Sequence, residues 1–213
     1  GWGYAPGISQ VWRATRDHHD DFASTLDQID ALTQHNRTSW SGPHGWAYGD
    51  MMMTGGEGCS PYNETAAHCP KQTDAEYRTE FSLYAILASP IMIGTDVRDM
   101  TQIMTNLLLN EEVLAINQDV TEPWLPAATF QCEDATAYVR TLASGKVTIA
   151  QTNPSPDAAT VTVCLGEYLG CGANCNQFQI RDVWAKKDLG AFSDSFTVAL
   201  QGHDTVLLVA TLE

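Results

Sequence analysis

Ser9-Gln10-Val11-Trp12-Arg13-Ala14-Thr15-Arg16 reads as a strand, Asp17 follows it directly, and His18 to His35 then reads as a helix. Val11 and Trp12 are the apolar residues of the strand, and Phe22, Leu26, Ile29 and Leu32 recur at helical spacing. Asp20 and Asp21 fall in the expected first helical turn, where the helix dipole favours negative charge. The same alternation continues outward. Trp40 to Met53 is a Gly-rich loop with a short strand, and Gly55 to Lys71 is a long loop. Thr73-Asp74-Ala75-Glu76 resembles a capping box opening a helix that runs to about Ser89 and stops before Pro90. Ile91-Met92-Ile93-Gly94 reads as a buried strand, and helices are expected near Met100 and after Asn110. Strand and helix in turn mean parallel βα units.

The pattern changes after about Gln118. Glu122 to Ala128 holds two prolines and reads as a linker. Beyond it, Thr136–Arg140, Lys146–Ala150, Thr160–Val163, Phe178–Val183, Ser195–Leu200 and Thr205–Thr211 alternate as short strands, separated by turns such as Ser144-Gly145 and Asn153-Pro154. That predicts an antiparallel β-sandwich. Three parallel strands with helices do not close a domain, because a parallel sheet needs both faces covered. The opening part therefore reads as the second half of something larger, in keeping with a first residue that is Gly1 rather than Met.

Composition narrows the partners. The 213 residues carry 11 Lys+Arg against 26 Asp+Glu, a formal charge of −15. Nucleic acid and anionic membranes reward a basic face, so neither is expected as a partner. No apolar run reaches the roughly 18 residues of a membrane span. The six cysteines, Cys59, Cys69, Cys132, Cys164, Cys171 and Cys175, do not form zinc-ribbon CxxC pairs. Cys59 and Cys69 bracket a polar loop, and Cys171 and Cys175 close a very small one. Asn36-Arg37-Thr38 and Asn63-Glu64-Thr65 are glycosylation sequons. Together these features favour an oxidising, secretory route, with the protein secreted, lysosomal or vacuolar. The favoured pairing is Cys59–Cys69, Cys171–Cys175 and, by remainder, Cys132–Cys164; the four cysteines of the second part allow three connectivities.

Several ordered motifs carry a resemblance. Trp12-Arg13-Ala14-Thr15-Arg16-Asp17 looks like the Trp-Arg-x-x-x-Asp signature of glycoside hydrolase family 27, the α-galactosidases and α-N-acetylgalactosaminidases of clan D. Ser41-Gly42-Pro43-His44-Gly45-Trp46-Ala47-Tyr48-Gly49-Asp50-Met51 is similar to the family's Gly-Pro-Gly-Gly-Trp-Asn-Asp-Pro-Asp-Met. Phe81-Ser82-Leu83-Tyr84-Ala85-Ile86-Leu87-Ala88-Ser89-Pro90 resembles its Phe-Ser-Leu-Trp-Ala-Ile-Leu-Ala-Ser-Pro helix end. Gly94-Thr95-Asp96-Val97-Arg98, Glu112 to Asp119, and Arg181 to Gly190 also resemble family segments. The resemblance implies an α/β plus all-β chain: the C-terminal part of a (β/α)8 TIM barrel over residues 1–120, followed by an antiparallel β-sandwich over 129–213. The barrel part would hold strands six to eight, with Gly1 to Gly3 at the end of strand five.

The resemblance also assigns roles. The family cleaves terminal α-linked galactose or N-acetylgalactosamine by double displacement, without a metal or other cofactor. Asp17 matches its general acid/base; a plain helix N-cap is the alternative. Arg13, Asp50 and Met51 match sugar-binding positions, with a structural salt bridge as the alternative for Arg13. On a strand, residues 13, 15 and 17 share a face. The nucleophile Asp belongs to the fourth barrel strand, so the N-terminal half of the barrel would have to be supplied as a second chain or a further segment. A neighbouring nucleophile and burial would raise the Asp17 pKa.

Other residues read more plainly. Met52 and Met53 are core filling, and Asp96 with Arg98 is a structural ion pair. Trp2 is either a sugar-stacking platform or a rim residue. His18, His19 and Asp20 are adjacent on the expected helix, so they do not converge on a metal. Ala47-Tyr48-Gly49 departs from the family's Asn-Asp-Pro. That departure motivates a second hypothesis, a catalytically silent glycan-binding or structural extracellular subunit. A homo-oligomer is compatible with either, and the choice between galactose and N-acetylgalactosamine stays open.

Overall fold

The computed structural model describes residues 8–34, 41–56, 71–122, 124–171 and 176–213. Expectations for Gly1 to Gly3, Trp2, Asn36, Asn63, Cys59, Cys69, Cys175 and most of the Gly55–Lys71 loop fall outside the described residues. The chain divides into two units, Gly1–Val120 and Thr121–Glu213.

In the first unit, strand β1 (Val11–Arg13) pairs in parallel with β2 (Trp46–Tyr48), in the register Val11↔Trp46, Trp12↔Ala47 and Arg13↔Tyr48. The β1 strand is shorter than the expected Ser9–Arg16. Its ladder closes with Trp46 N–H to Gln10 O and Ala14 N–H to Tyr48 O, after which the chain leaves the sheet. Further along, Met52 makes a parallel bridge to Ile93. The expected buried strand Ile91–Gly94 is reduced to this bridge, and Met92 and Ile93 are 42% and 41% exposed. Among the described residues its only ladder partner is Met52, and an apolar parallel strand is buried only where both faces are covered.

Helix α1 (Phe22–Thr33) starts later than expected. Asp21 is its N-cap, accepting the Ala23 N–H at 2.9 Å, and Asp20 lies before the helix, fully buried. The buried face carries Ser24, Thr25, Gln28, Ile29 and Leu32, while Leu26 is exposed. The helical period holds, but the inward face is turned toward polar residues that bond to the segment before it. Helix α2 (Asp74–Ile86) opens with the expected capping box between Thr73 and Glu76. It is buried nearly all round and packs on α1, α3 (Gln102–Leu108) and α4 (Glu111–Gln118). It ends three residues before the expected Ser89. Ala88 at φ 51 takes the left-handed position, and Ser89 N–H closes back on Tyr84 O at 3.1 Å, a Schellman stop. Thr101 and Asn110 cap α3 and α4 through their side chains.

The second unit is a sandwich. One antiparallel sheet runs in the order β3 (Ala128–Cys132), β4 (Ala135–Thr141), β5 (Val147–Thr152), β10 (Thr205–Leu212), β7 (Phe178–Asp182), β8 (Lys187–Phe192). The other pairs β6 (Ala159–Cys164) with β9 (Ser195–Leu200), and a short helix α5 (Leu165–Tyr168) follows β6. Alternating residues such as Ala137, Val139, Ile149, Val161, Val163, Ile180 and Leu208 fill the core between the sheets. The Cys132–Cys164 disulfide joins the end of β3 to the end of β6, and so ties one sheet to the other. Cys171 is also disulfide-bonded.

Replacing both Cys132 and Cys164 by Ala opens a link across a sequence separation of 32. The loss expected from chain entropy is about 2–4 kcal/mol. Urea unfolding followed by tryptophan fluorescence should show a lowered midpoint; an unchanged midpoint would show that the bridge adds nothing.

Candidate active site

The parallel register places Arg13 beside Tyr48 at neighbouring strand ends. The Arg13 guanidinium then reaches two carboxylates. Its Nη2 forms an ion pair with Asp17 Oδ1 and lies 3.2 Å from Asp50 Oδ2. Asp17 is not a continuation of the strand face: β1 has ended, Thr15 is buried, and Asp17 reaches back four residues to Arg13.

Asp50 has φ 76, a left-handed conformation that costs an L-residue about 1 kcal/mol or more. Its carboxylate offsets this by three contacts. Oδ1 accepts the Met51 N–H at 2.9 Å, and Oδ2 accepts the His18 N–H at 3.0 Å and faces Arg13. Met51 beside it is 44% exposed, whereas Met52 is fully buried and Met53 half-buried. Arg13, Asp17 and Asp50 are thus brought together, with Met51 next to them in the chain. Asp17 alone of the four lines a polar groove of about 780 Å³ that runs along α1 past Thr15, Arg16 and Gln28.

The electrostatics of Asp17 differ in sign from the sequence expectation. The Arg13 hydrogen bond, and then its charge, hold the Asp17 carboxyl below the ordinary aspartate range, and its side chain is 82% exposed. Neither burial nor a second carboxylate acts on it strongly enough to raise it. The Arg13 guanidinium is raised in turn, chiefly by Asp17. Burial pushes the Tyr48 phenol up to about 12. Asp96 and Arg98 form an exposed ion pair at 2.6 Å within their own loop, which holds Asp96 down to about 2.

A buried polar layer lies behind these residues. His18 and Glu80 have no exposed side-chain surface, and His18 Nδ1 stands 3.6 Å from Glu80 Oε1. His18 Nδ1 also lies 2.9 Å from Met51 O, and Nε2 lies 3.2 Å from Thr25 Oγ1. Glu80 accepts the Met53 N–H at 2.7 Å and the Thr54 hydroxyl at 2.8 Å; burial raises it to about 8. The Tyr77 hydroxyl donates to the Asp20 carboxylate at 2.9 Å. His18 and Asp20, expected on a helix, lie before α1 and so can turn into this layer. A usable signal was Glu80 itself, an acid directly before the Phe81–Ile86 run of α2 that is buried throughout.

One departure from the family pattern has a steric account. The Tyr84 hydroxyl donates to Gly49 O at 2.6 Å, and a Cβ on residue 49 would stand 2.9 Å from the Tyr84 hydroxyl oxygen. Gly49 and Tyr84, which stand where the resembled motifs have Pro and Trp, therefore fit each other.

Comparison with known proteins follows the same division of the chain. The family model described as Alpha galactosidase A matches residues 5–119, and the alpha galactosidase C-terminal beta sandwich domain matches residues 132–210. Alpha-galactosidase 3 of Arabidopsis thaliana is 28% identical over 211 residues, covering 98% of this chain and 44% of the relative. The alpha-galactosidase of Oryza sativa subsp. japonica is 28% identical over 210 residues, covering 98% and 45%. The chain spans about half the length of the curated relatives it matches. Among solved structures, alpha-galactosidase I from Mortierella vinacea superposes with a TM-score of 0.81 at 22% identity, over 100% of this chain and 55% of that one. A GH27 β-L-arabinopyranosidase from Geobacillus stearothermophilus gives 0.77 at 27%, over 95% and 45%.

If Arg13 is the cause of the low Asp17 pKa, Arg13→Gln should return the Asp17 titration to the ordinary carboxylate range. Side-chain carboxyl 13C NMR shifts against pH would read this directly. An unmoved midpoint would mean that the ion pair does not govern Asp17.

Proposed function

This chain belongs to the α-galactosidase family, glycoside hydrolase family 27, as its C-terminal portion, and from that premise we propose that it takes part in retaining hydrolysis of a terminal α-galactoside. Residues 1–120 would supply barrel strands six to eight, and residues 129–213 the sandwich. The N-terminal half of the barrel, with the nucleophilic Asp, comes from a further segment or a second chain.

A retaining glycosidase uses two carboxyl groups about 5–5.5 Å apart. The nucleophile attacks the anomeric carbon, and Asp17 protonates the departing glycosidic oxygen. Asp17 then takes a proton from the water that releases the sugar. Arg13, Asp50 and Met51 hold the sugar. The scheme calls for no cofactor. The observation that carries this reading is the Arg13 guanidinium shared by Asp17 and Asp50 at the ends of two parallel strands. A guanidinium there neutralises carboxylates that would otherwise repel, and its remaining N–H groups suit a sugar hydroxyl. An acid must carry a proton when it acts. A nucleophile carboxylate beside Asp17 supplies the like charge that raises it, against the lowering by Arg13.

The Asp17–Arg13 pair also favours the second reading, a catalytically silent glycan-binding or structural subunit. Without that nucleophile carboxylate, Asp17 stays ionised. The Cys132–Cys164 disulfide supports a secreted, lysosomal or vacuolar route, with glycans on Asn36 and Asn63.

The test is kinetic, on the polypeptide with a complete barrel. Asp17→Ala should lower kcat/KM by about 10²–10⁴-fold for alkyl α-galactosides. The loss should be much smaller for an aryl α-galactoside, whose leaving group needs little protonation. Equal loss on both would remove Asp17 from the acid role. Galactose binding with no hydrolysis by the wild type would establish the silent reading.

A further inference from the structure

We propose that His18 and Glu80 form a buried acid–base pair that locks the Asp17 segment to the Asp50–Met51 segment, and that His18 is a positioning residue for both carboxylates. The proposal deepens the reading of Asp17 as acid/base and rests on it.

The pair grips one short stretch of backbone from both sides. The His18 N–H donates to Asp50 Oδ2 at 3.0 Å, and its ring Nδ1 meets Met51 O at 2.9 Å. Glu80, reaching in from α2, takes the Met53 N–H at 2.7 Å and the Thr54 hydroxyl at 2.8 Å. Four positions of the strand-end loop are therefore fixed by two residues: 50 by the His18 backbone N–H, 51 by the His18 ring, and 53 and 54 by the Glu80 carboxyl. His18 is also the residue directly after Asp17, so its anchoring sets where Asp17 can go.

Hydrogen-bond counting assigns the proton on the ring. A carbonyl oxygen only accepts, so Nδ1 must carry a hydrogen toward Met51 O. At Nε2 the partner is the Thr25 hydroxyl, which lies 2.9 Å from Gln72 Oε1, while Gln72 Nε2 is buried with no partner. Exchanging the oxygen and nitrogen of that amide frees the Thr25 hydroxyl hydrogen for His18 Nε2. Gln72 then donates to Thr25 Oγ1, and the Thr25 hydroxyl donates to His18 Nε2. His18 is a neutral imidazole with its hydrogen on Nδ1.

The surroundings agree with that state. The ring is stacked 6.5 Å from Tyr84, and burial disfavours its charged form. The groups that face it are Asp50 and Glu80 from the packed elements, and His19 and Asp20 from its own segment. Glu80, fully buried and near Asp20, keeps its own proton up to about 8. The layer thus fixes two loops with neutral His18 and neutral Glu80. Such an arrangement avoids the desolvation cost of a buried ion pair.

Three measurements test this. Long-range 1H–15N NMR on the chain should show the His18 ring neutral, with hydrogen on Nδ1, throughout the neutral range. A charged ring there would overturn the proposal, whether or not the protein hydrolyses anything. In the complete enzyme, His18→Leu removes the ring bonds and should lower kcat about 10²-fold, the scale of a small misplacement, with KM far less affected. His18→Asn, whose amide can still donate to Met51 O, should recover most of it. Equal loss in both variants, or a full-strength His18→Leu enzyme, would overturn the positioning role. Glu80→Gln serves where His18→Leu does not fold. Glu80 is raised in the folded state, so its contribution to stability is complete at acid pH and is lost as pH rises toward about 8. Glu80→Gln should remove that decline, and a decline that persists would contradict a protonated Glu80.

Discussion

The parallel pairing of Val11–Arg13 with Trp46–Tyr48 governs the site. It sets one guanidinium at the mouth of two strands, where the chain after each strand delivers a carboxylate. Without Arg13, Asp17 and Asp50 would meet as like charges. With it, Asp50 can also hold a left-handed backbone, because its carboxylate is bound by Arg13 and by two backbone N–H groups.

Support for this mouth comes from behind. His18, Glu80, Asp20, Tyr77, Thr25 and Gln72 form a polar layer under the two loops, where a dry apolar core would leave loop carbonyls and N–H groups without partners. The same layer accounts for the face that α1 turns inward, since Thr25 and Gln28 are buried and bond to His18 and to Asp17 O. Gly49 and Tyr84 show a similar coupling between a strand end and α2: the hydroxyl of one takes the space that a side chain on the other would fill.

Much of the fold was legible because it is periodic. Apolar spacing and the Thr73 capping box located α2, helices were expected where α3 and α4 lie, and alternation located most sandwich strands. The misses have physical causes. Edge strand β8 begins Lys187-Asp188, carries Gly190 and is largely uncovered, so no alternating apolar signal marks it. Ile91–Gly94 has a core composition but lacks a second neighbour among the described residues. Asp20 and Asp21 looked alike in sequence, yet one is a buried acceptor and the other a cap. Of the site, ordered motifs named Arg13, Asp17 and Asp50, which the fold does bring together. The sign of the Asp17 shift was not legible, because it depends on which charge lies nearest in space: Arg13 is at hand, and no carboxylate among the described residues raises it.

The proposed role of Asp17, one of two carboxyls of a retaining glycosidase, fixes a distance. The most direct measurement is the separation between the Asp17 carboxyl and the nearest carboxyl of the fourth barrel strand, in a crystal structure of the polypeptide with its complete barrel. A retaining site requires about 5–5.5 Å. A non-carboxylate residue in that place, or a separation of about 6.5–9.5 Å as in inverting enzymes, would contradict it.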